Sequence, residues 1–364
     1  MSTRIGIVGM PNAGKSSLFN ALTKAGAEAA NYPFTTIEPN VAVVPVRDER
    51  LEQVAATVGG SEIVWDTIDF HDIAGLVAGA HKGEGLGNKF LANIRETDAI
   101  VHVVRVHGDQ NVIHPEGRVD PIADIETIET ELVLADLEQA ERRVERVAKQ
   151  ARGGDRTAAA EEAWLREVIA ELQAGRPVRG VAVPEEAPHA ARDLGSLTAK
   201  PVLFVANVDE EATEVPAAVA EYAAAQGARA VAVSSRIESE LAELDDEEAA
   251  AMRAEITGGG EAGSPLERVV QEAFALLQQI VFFTAGEAKP AQSWHLRRGL
   301  SVWHAAGEIH SDIQKGFVRA EVIGWRELVD AGGYAGARER GTLRLEGRDY
   351  KTADGDVITV KFSP

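Results

Sequence analysis

Short apolar runs rich in β-branched residues alternate with amphipathic segments through much of the chain. The apolar runs cover residues 4–8, 41–46, 63–70, 100–106, 202–206 and 228–233. Each has the length and composition of a buried strand. Helical patterns at 16–22, 89–95 and 216–226 fall between these runs. The alternation predicts an α/β fold with a mostly parallel sheet.

A long insertion separates the strand signals at 100–106 and 202–206. From Ile125 to Ala151 apolar residues recur every three or four positions, and a second amphipathic run contains Trp164 and Leu172. Gly153 and Gly154 interrupt the periodicity between the two runs. The pattern predicts an antiparallel helical hairpin, an inserted coiled-coil arm over residues 125–199, whose charged positions form a solvated face.

The last part of the chain has strand signals at 280–283, 317–323 and 357–362, and Asp354-Gly355 is typical of a tight hairpin turn before the last one. A helical run at 266–279 leads into this part. We therefore predict a small mixed β domain at 280–364. Residues 1–124 and 200–279 then form one discontinuous domain around the arm.

Composition and charge narrow the class of protein. The 364 residues are 45% hydrophobic and contain no cysteine, which excludes disulfides, a catalytic thiol and Cys-ligated metal sites. No apolar run approaches the ~20 residues of a membrane span, so we expect no membrane partner and a cytoplasmic location. The net charge of −21 is uneven, because residues 281–364 hold 12 basic and 11 acidic side chains. A basic face there, with Arg297, Arg298, Lys315 and Arg319 as candidates, would tolerate nucleic acid.

The strongest chemical signal is the segment from Gly9 to Ser16, which has the spacing G-x-x-x-x-G-K-S between a predicted strand and a predicted helix. In such a loop backbone N–H groups face the phosphates, the lysine reaches the β- and γ-phosphates, and the serine hydroxyl binds Mg²⁺. The candidate phosphate-binding residues are Asn12, Ala13, Gly14, Lys15, Ser16 and Ser17.

Two further segments indicate a nucleotide switch. Asp72 directly follows a predicted strand and begins Asp-Ile-Ala-Gly75, where related enzymes hold a carboxylate behind the magnesium and a glycine amide near the γ-phosphate. Thr36, in the loop before the second strand, is the candidate second ligand of the magnesium, with Thr35 as its alternative. Leu76 stands where Ras-like enzymes have a water-orienting glutamine, so hydrolysis should be slow. The candidate catalytic positions are Lys15, Gly75 and Leu76.

The base-reading element is Asn207-Val208-Asp209-Glu210, where GTPases typically carry Asn-Lys-x-Asp. Glu210 is one methylene longer than the aspartate that accepts the guanine N–H groups, and Val208 lacks the lysine stem that packs on the ring. Adenine has no such donors, so ATP is the expected substrate. A looser guanine contact by Glu210 is the alternative.

Several motifs together resemble one family. They are residues 9–17, 31–40, 72–91, 207–210, 234–238 and 344–350. The chain resembles the YchF branch of the Obg-related P-loop proteins. This resemblance implies a P-loop nucleotide-binding domain, a coiled-coil arm and a carboxy-terminal TGS domain of ubiquitin-like β-grasp shape. It adds Ser234 and Ser235 to the base contacts, alongside Asn207, Val208 and Glu210. Ser235 replaces a common alanine and Trp303 a usual proline.

The resemblance also implies a function. It predicts a monomeric, Mg²⁺-dependent hydrolase that prefers ATP to GTP and acts as a conformational switch on the ribosome, on the large subunit or the 70S particle. RNA contact through the arm and the TGS domain would follow. Asn12 suggests a K⁺ requirement, because related P-loop proteins with an asparagine at this position use it to hold that ion. Two alternatives stay open: a GTP-specific Obg-type translation or ribosome-assembly factor, and a nucleotide-gated ribosome-binding protein with incidental hydrolysis.

Overall fold

The computed structural model describes residues 3–28, 40–73, 86–108, 117–256 and 264–363. The strands, in chain order, are β1 (Thr3–Val8), β2 (Val41–Pro45), β3 (Ile63–Val64), β4 (Thr67–Asp72), β5 (Ala99–Arg105), β6 (Val202–Asn207), β7 (Arg229–Val233), β8 (Gln279–Thr284), β9 (Ala291–Arg297), β10 (Phe317–Gly324), β11 (Arg344–Glu346) and β12 (Asp356–Phe362). The helices are α1 (Lys15–Glu28), α2 (Glu49–Val58), α3 (Leu86–Arg95), α4 (Pro121–Arg152), α5 (Arg156–Gln173), α6 (Ala190–Leu194), α7 (Ala217–Ala225), α8 (Ser235–Leu241), α9 (Asp246–Ile256), α10 (Pro265–Leu276), α11 (Val302–Ile309), α12 (Ser311–Lys315), α13 (Trp325–Asp330) and α14 (Tyr334–Arg340).

The chain divides into two compact units. One contains Thr3–Val44 and Asp69–Leu276, and the other contains Pro45–Ile68 and Leu277–Pro364. Residues 45–68, which the predicted range 1–124 assigned to the nucleotide-binding domain, group with the carboxy-terminal unit. Helix α2 of this segment packs against α13 and β9 of the same unit.

The first unit contains a sheet of order β2-β4-β1-β5-β6-β7 among the described strands. β1 pairs with β5, β5 with β6 and β6 with β7, all in parallel. All residues of β5 and β6 are buried, as expected of parallel strands covered by helices on both faces. Because parallel strands share a direction, the ends of β1, β5 and β6 gather their following loops at one edge of the sheet, where ligands bind in folds of this kind.

The inserted hairpin is confirmed as two long helices that pack on each other, α4 and α5. Asp120 caps α4, which begins with Pro121 and so starts a few residues before the predicted 125. Asp155 caps α5 through the Ala158 N–H. The two helices share an apolar core that includes Trp164 and Leu165, as the periodicity predicted.

A fully buried carboxylate, that of Asp136 in α4, holds the base of the hairpin. It accepts hydrogen bonds from the Ser196 hydroxyl (2.6 Å), the Leu197 N–H (2.9 Å) and both the N–H and hydroxyl of Thr198 (2.8 and 2.7 Å). The Thr198 hydroxyl in turn accepts from the Val178 N–H at 3.0 Å. These hydrogen bonds thus join α4, the first helix of the hairpin, to residues 196–198, where the chain leaves the hairpin.

The second unit contains a mixed sheet of order β11-β10-β12-β8-β9-β3 among the described strands. β10 pairs antiparallel with β11 and β12, β12 parallel with β8, β8 antiparallel with β9, and β9 parallel with β3. Its core includes Ile280, Phe282, Val302, Val322 and Ile358. The predicted α/β P-loop fold with an inserted helical arm and a carboxy-terminal mixed β domain is confirmed.

Two local predictions are wrong. Residues 63–70 form two strands and not one, because the chain leaves one sheet after β3 and enters the other with β4. Between them, the Asp66 carboxylate accepts hydrogen bonds from the Thr67 N–H (2.8 Å) and from the His295 N–H (2.8 Å). The Asp354-Gly355 turn does not join a hairpin, because β11 pairs with β10 and not with β12. None of the helices in the described part of the chain combines the length and apolar character of a membrane span.

Candidate nucleotide-binding site

The loop between β1 and α1 turns through two residues with positive φ, Asn12 at 62° and Gly14 at 101°. A Cβ at Gly9 would lie 2.4 Å from the Val103 carbonyl oxygen, and one at Gly14 would lie 2.2 Å from the Asn207 Nδ2. Glycine is therefore required at both positions, by close packing at Gly9 and by packing and backbone conformation at Gly14. These contacts explain the two glycines of the motif.

Lys15 is the first residue of α1, and its side chain is only 8% exposed. Its Nζ donates to the Met10 carbonyl oxygen at 2.8 Å, so the ammonium group lies inside the curve of the loop. Ser16 is exposed and Ser17 is half-buried at the start of the same helix. The first turn of a helix presents N–H groups and the positive end of its dipole, which together favour an anion.

Burial lowers the pKa of Lys15 to about 8, and the nearby Asp72 carboxylate opposes that shift. Burial likewise raises the pKa of Asp72, opposed by Lys15. For both groups, removal from water outweighs the attraction between them. A polyanionic ligand beside Lys15 would stabilise its charged form, as expected of a lysine that binds phosphate.

Asn207, the last residue of β6, joins the phosphate loop to the base-reading segments. Its Nδ2 donates to the Ala13 carbonyl oxygen at 3.0 Å, and its Oδ1 accepts from the Ser235 N–H at 3.0 Å. The side chain is 4% exposed. The structure thus brings Ala13, Asn207 and Ser235 together, although they are far apart in sequence.

The remaining predicted base contacts lie around the same strand ends. Val208 is buried, and its N–H donates to the Val233 carbonyl oxygen. Glu210 is exposed, and its carboxylate pairs with the Arg236 guanidinium at 3.1 Å. Ser234 precedes α8 without a side-chain cap, and the Ser235 hydroxyl is buried with no hydrogen-bond partner among the described residues.

Three predicted site residues, Thr36, Gly75 and Leu76, lie outside the described residues. Asp72 is the last residue of β4 and is half-buried, with its N–H bonded to the Asn40 carbonyl oxygen at 3.0 Å. The structure thus positions the strand that leads into the second switch segment.

The donor set fits Mg²⁺. Ser16 offers an exposed hydroxyl and Asp72 a carboxylate close enough to Lys15 to interact with it electrostatically. No cluster of three or more His, Asp or Glu side chains that could bind a metal exists in the described ranges. Mg²⁺ typically takes few protein oxygens and completes its shell with phosphate oxygens and water, which matches such a sparse set.

Sequence reasoning missed two buried polar residues of β5, His102 and Arg105, which are 3% and 2% exposed. Burial lowers the pKa of His102 to about 3, and the positive charges of Lys15 and Arg179 lower it further. The imidazole is therefore neutral and packs on Phe204, with ring centroids 5.5 Å apart. A histidine and an arginine inside an otherwise apolar strand were the available signal.

Comparison with known proteins agrees with this geometry. A family model described as "50S ribosome-binding GTPase" matches residues 4–144, and the YchF-GTPase_C model, described as a protein of unknown function (DUF933), matches residues 279–363. The chain is 48% identical to the ribosome-binding ATPase YchF of Haemophilus influenzae over 366 residues, covering 100% of both chains. The chain belongs to the YchF family.

Other members of the YchF family support the assignment. The ribosome-binding ATPase YchF of Bacillus subtilis is 46% identical over 369 residues, with 100% of both chains covered. A structure titled as the Schizosaccharomyces pombe YchF GTPase superposes with a TM-score of 0.87 at 33% identity, covering 99% of this chain and 98% of that one. The family expected from the motifs is confirmed. One name says ATPase and the other GTPase, so the names do not decide which base this chain prefers.

Proposed function

We propose that this chain is a slow, Mg²⁺-dependent P-loop ATPase that hydrolyses ATP to ADP and phosphate and acts as a nucleotide-dependent switch on the ribosome. The observation that carries the proposal is the loop around Lys15, a buried ammonium at a helix N-terminus beside a half-buried carboxylate. Full-length relatives named ribosome-binding ATPases support the choice of partner.

The chain's own residues would act mainly by position and charge. N–H groups from Asn12 to Ser17 would bind the phosphates, and Lys15 would stabilise the negative charge of the β- and γ-phosphates. Ser16 and Thr36 would hold Mg²⁺, with Asp72 behind them. When bound, the ion would neutralise charge on the phosphate oxygens as the terminal bond breaks. Gly75 would donate its amide to the γ-phosphate.

Slow turnover follows from Leu76, because a leucine cannot hydrogen-bond the attacking water. We expect full-length protein to hydrolyse ATP slowly, and Lys15→Ala to abolish hydrolysis. Thr23→Ala is the matched control, since Thr23 lies farther along α1 with an exposed side chain that donates to the Phe19 carbonyl oxygen. Loss of hydrolysis in both variants alike would contradict the roles given to this loop.

The preference for adenine rests on Glu210 and Val208. Glu210 pairs with Arg236, and Val208 has no stem that could cover a guanine ring. Turnover of ATP and GTP by the same purified protein tests the preference, and a clear advantage for GTP would favour the alternative of an Obg-type GTPase.

The ribosomal role is tested by co-sedimentation of the full-length protein with ribosomes in the presence of ADP, ATP or a non-hydrolysable ATP analogue. We expect the bound fraction to depend on the nucleotide. If the unchanged protein binds ribosomes equally with ADP, ATP and the analogue, the switch model fails, and Lys15→Ala should lose the dependence on nucleotide. Binding that changes with nucleotide but not with hydrolysis would favour a nucleotide-gated binding protein instead.

Asn12 carries a separate proposal, because an asparagine at this position can help to hold K⁺ where an arginine finger would place its charge. Its positive φ and its exposed side chain are compatible with that role. We expect faster hydrolysis in K⁺ than in Na⁺ at equal ionic strength, with Asn12→Ala removing the difference. Equal rates of ATP hydrolysis in K⁺ and in Na⁺ would exclude a role of Asn12 in holding K⁺.

A further inference from the structure

Helix α8 begins with Ser235 and directly follows Ser234, two of the predicted base contacts. It is seven residues long, and Ser234 forms no side-chain cap at its start. An isolated helix shorter than about 12 residues is only marginally stable in water. The position of Ser234 and Ser235 therefore depends on the contacts that α8 makes with other elements.

The two ends of α8 are held by different kinds of contact. At its start the Ser235 N–H donates to the Asn207 Oδ1 at 3.0 Å. Beyond its other end, Glu243 pairs with Lys24 of α1, the helix against which α8 packs. Glu243 is exposed, and an exposed ion pair contributes little to stability. The stronger constraint comes from the middle of the helix.

The Glu238 carboxylate joins α8 to α9 and to the start of α10. Glu238 is only 4% exposed. Its Oε2 accepts hydrogen bonds from the Arg253 guanidinium of α9 at 3.2 Å and from the Ser264 hydroxyl at 3.5 Å. The Ser264 hydroxyl in turn accepts from the Leu266 N–H at 3.2 Å, in the first turn of α10. A single buried carboxylate thus contacts both elements that pack beside α8.

A charged group at this position needs an explanation. Burial raises the pKa of Glu238, and the charge and hydrogen bond of Arg253 oppose that shift. Removing an ion pair from water is costly, and well-packed apolar residues often hold helices together equally well. The carboxylate adds direction, because its hydrogen bonds fix one orientation of α8 against α9, whereas apolar contacts alone would allow the helices to slide.

We propose that Glu238 is a positioning residue for the base of the nucleotide. By fixing α8 against α9 and α10, it holds Ser234 and Ser235 in place beside Asn207, where the base is expected to bind. Glu238 acts through α8, with its own carboxylate turned to Arg253 and Ser264. The inference rests on the proposed function, because it takes an adenine nucleotide as the ligand.

The test compares ATP with inorganic tripolyphosphate, which has the phosphates but no base, by calorimetric titration of the full-length protein in Mg²⁺. Glu238→Gln keeps the size of the side chain but removes the charge that binds Arg253. It should weaken ATP binding about fivefold, within the range by which residues outside a site alter its affinity. Tripolyphosphate should bind within about twofold of its affinity for the unchanged protein, because the loop around Lys15 is left in place. That binding also shows that the variant is folded.

Steady-state kinetics provide a second readout. The KM for ATP should rise about fivefold in Glu238→Gln, because KM equals the dissociation constant when the chemical step is slow. The kcat should remain within about twofold of that of the unchanged protein, since Glu238 contacts no group assigned to hydrolysis. A general loss of structure would lower kcat as well.

Two further variants complete the experiment. Glu272→Gln is the matched control, because Glu272 lies in α10 of the same unit and pairs with Arg229 at 2.5 Å; its affinity for both ligands should be unchanged. Arg253→Met removes the partner of Glu238 and should weaken ATP binding to a similar extent. Combining Arg253→Met with Glu238→Gln should cause no additional loss, because both changes remove the same interaction.

Three results would overturn the inference. Unchanged ATP binding in Glu238→Gln would show that Glu238 has no part in holding the base. An equal loss of ATP and tripolyphosphate binding would give it a general structural role, and an equal loss of ATP binding in Glu272→Gln would make the effect non-specific. If the unchanged protein bound neither ATP nor tripolyphosphate, the proposed function would fail. If it bound both and Glu238→Gln bound them equally well, only the role of Glu238 would fail.

Discussion

At the scale of single residues, burial sets the ionisation of the nucleotide site and its surroundings. Lys15 and His102 both have lowered pKa values because each is removed from water. The positive charges of Lys15 and Arg179 add to the shift of His102, so a protonated imidazole would be buried near two cations. The folded protein therefore keeps His102 neutral, whereas in the unfolded protein the imidazole has its ordinary pKa and can be protonated.

His102 should make the protein less stable in mild acid. The pKa is about 3 in the folded protein against an ordinary value of 6.5, so the unfolded state binds more protons between these values and stability falls as pH falls below 6.5. From pH 7 to pH 5 the linkage amounts to about 2 kcal/mol. Denaturant unfolding at the two pH values should show that this part of the pH dependence disappears in His102→Phe.

The control for this prediction is His189→Gln, at an exposed position that makes no side-chain cap hydrogen bond, which should keep the pH dependence of the unchanged protein. The comparison uses the difference between two pH values within each variant, so a general loss of stability in His102→Phe does not affect it. If the difference in the free energy of unfolding between pH 7 and pH 5 is the same in His102→Phe as in the unchanged protein, His102 takes up a proton in the folded state.

Arg236 should influence the choice of base. It pairs with Glu210 at 3.1 Å and with Glu240 at 3.1 Å, and so restrains the carboxylate of Glu210, the predicted base contact. Arg236→Ala should free Glu210 to accept guanine N–H groups and lower the ratio of ATP to GTP turnover roughly two- to fivefold, the scale of an exposed ion pair.

The matched control is Arg229→Ala, which breaks a similarly exposed pair with Glu272 at 2.5 Å in the same unit. Competition binding with ATP and GTP analogues would separate affinity from turnover. If Arg236→Ala and Arg229→Ala give the same ratio of ATP to GTP turnover, Arg236 has no part in base selection.

At the scale of elements, the hairpin of α4 and α5 depends on a polar anchor as well as on its apolar seam. The seam was predictable because its period follows from the helix itself. The anchor was not, because Asp136 in α4 bonds to residues 196–198, which are about sixty positions away in sequence. A single aspartate in a helix gives no signal for such partners.

Asp136→Asn should destabilise the base of the hairpin by about 3 kcal/mol, because one carboxylate oxygen that accepts hydrogen bonds becomes an amide donor among buried donors. Chemical denaturation would measure the loss, and limited proteolysis would show whether cleavage occurs first around residues 195–200. Asp193→Asn, at a half-exposed side chain of the neighbouring helix α6, should change stability by less than about 1 kcal/mol. Equal stability of the two variants would show that the anchor contributes little.

At the scale of the whole molecule, the division into units does not follow the order of the chain. α2 has a buried face made by Leu51, Val54 and Val58, and its helix belongs with the carboxy-terminal unit. Arg50, at its start, pairs with Asp354 at 2.6 Å in that same unit. The segment 45–68 is thus a piece of one unit inserted between strands of the other.

Truncation after Leu276 should therefore damage more than the carboxy-terminal unit. The shortened chain would keep α2 and β3 without their partners, so we expect exposed apolar surface, stronger binding of a hydrophobic dye and reduced solubility. Replacing Leu51, Val54 and Val58 by glutamine in the truncated chain should restore part of the solubility. A truncated chain that is soluble, binds no dye and unfolds cooperatively would contradict this division.

The sequence by itself determined the phosphate loop, the parallel core strands and the helical hairpin, because each depends on contacts between near neighbours or on a local period. Tertiary structure decided which sheet the 45–68 segment joins, where Asp136 finds its donors and how Asn207 meets the phosphate loop. Those outcomes depend on packing between segments far apart in the chain, for which the local pattern of residues has no counterpart.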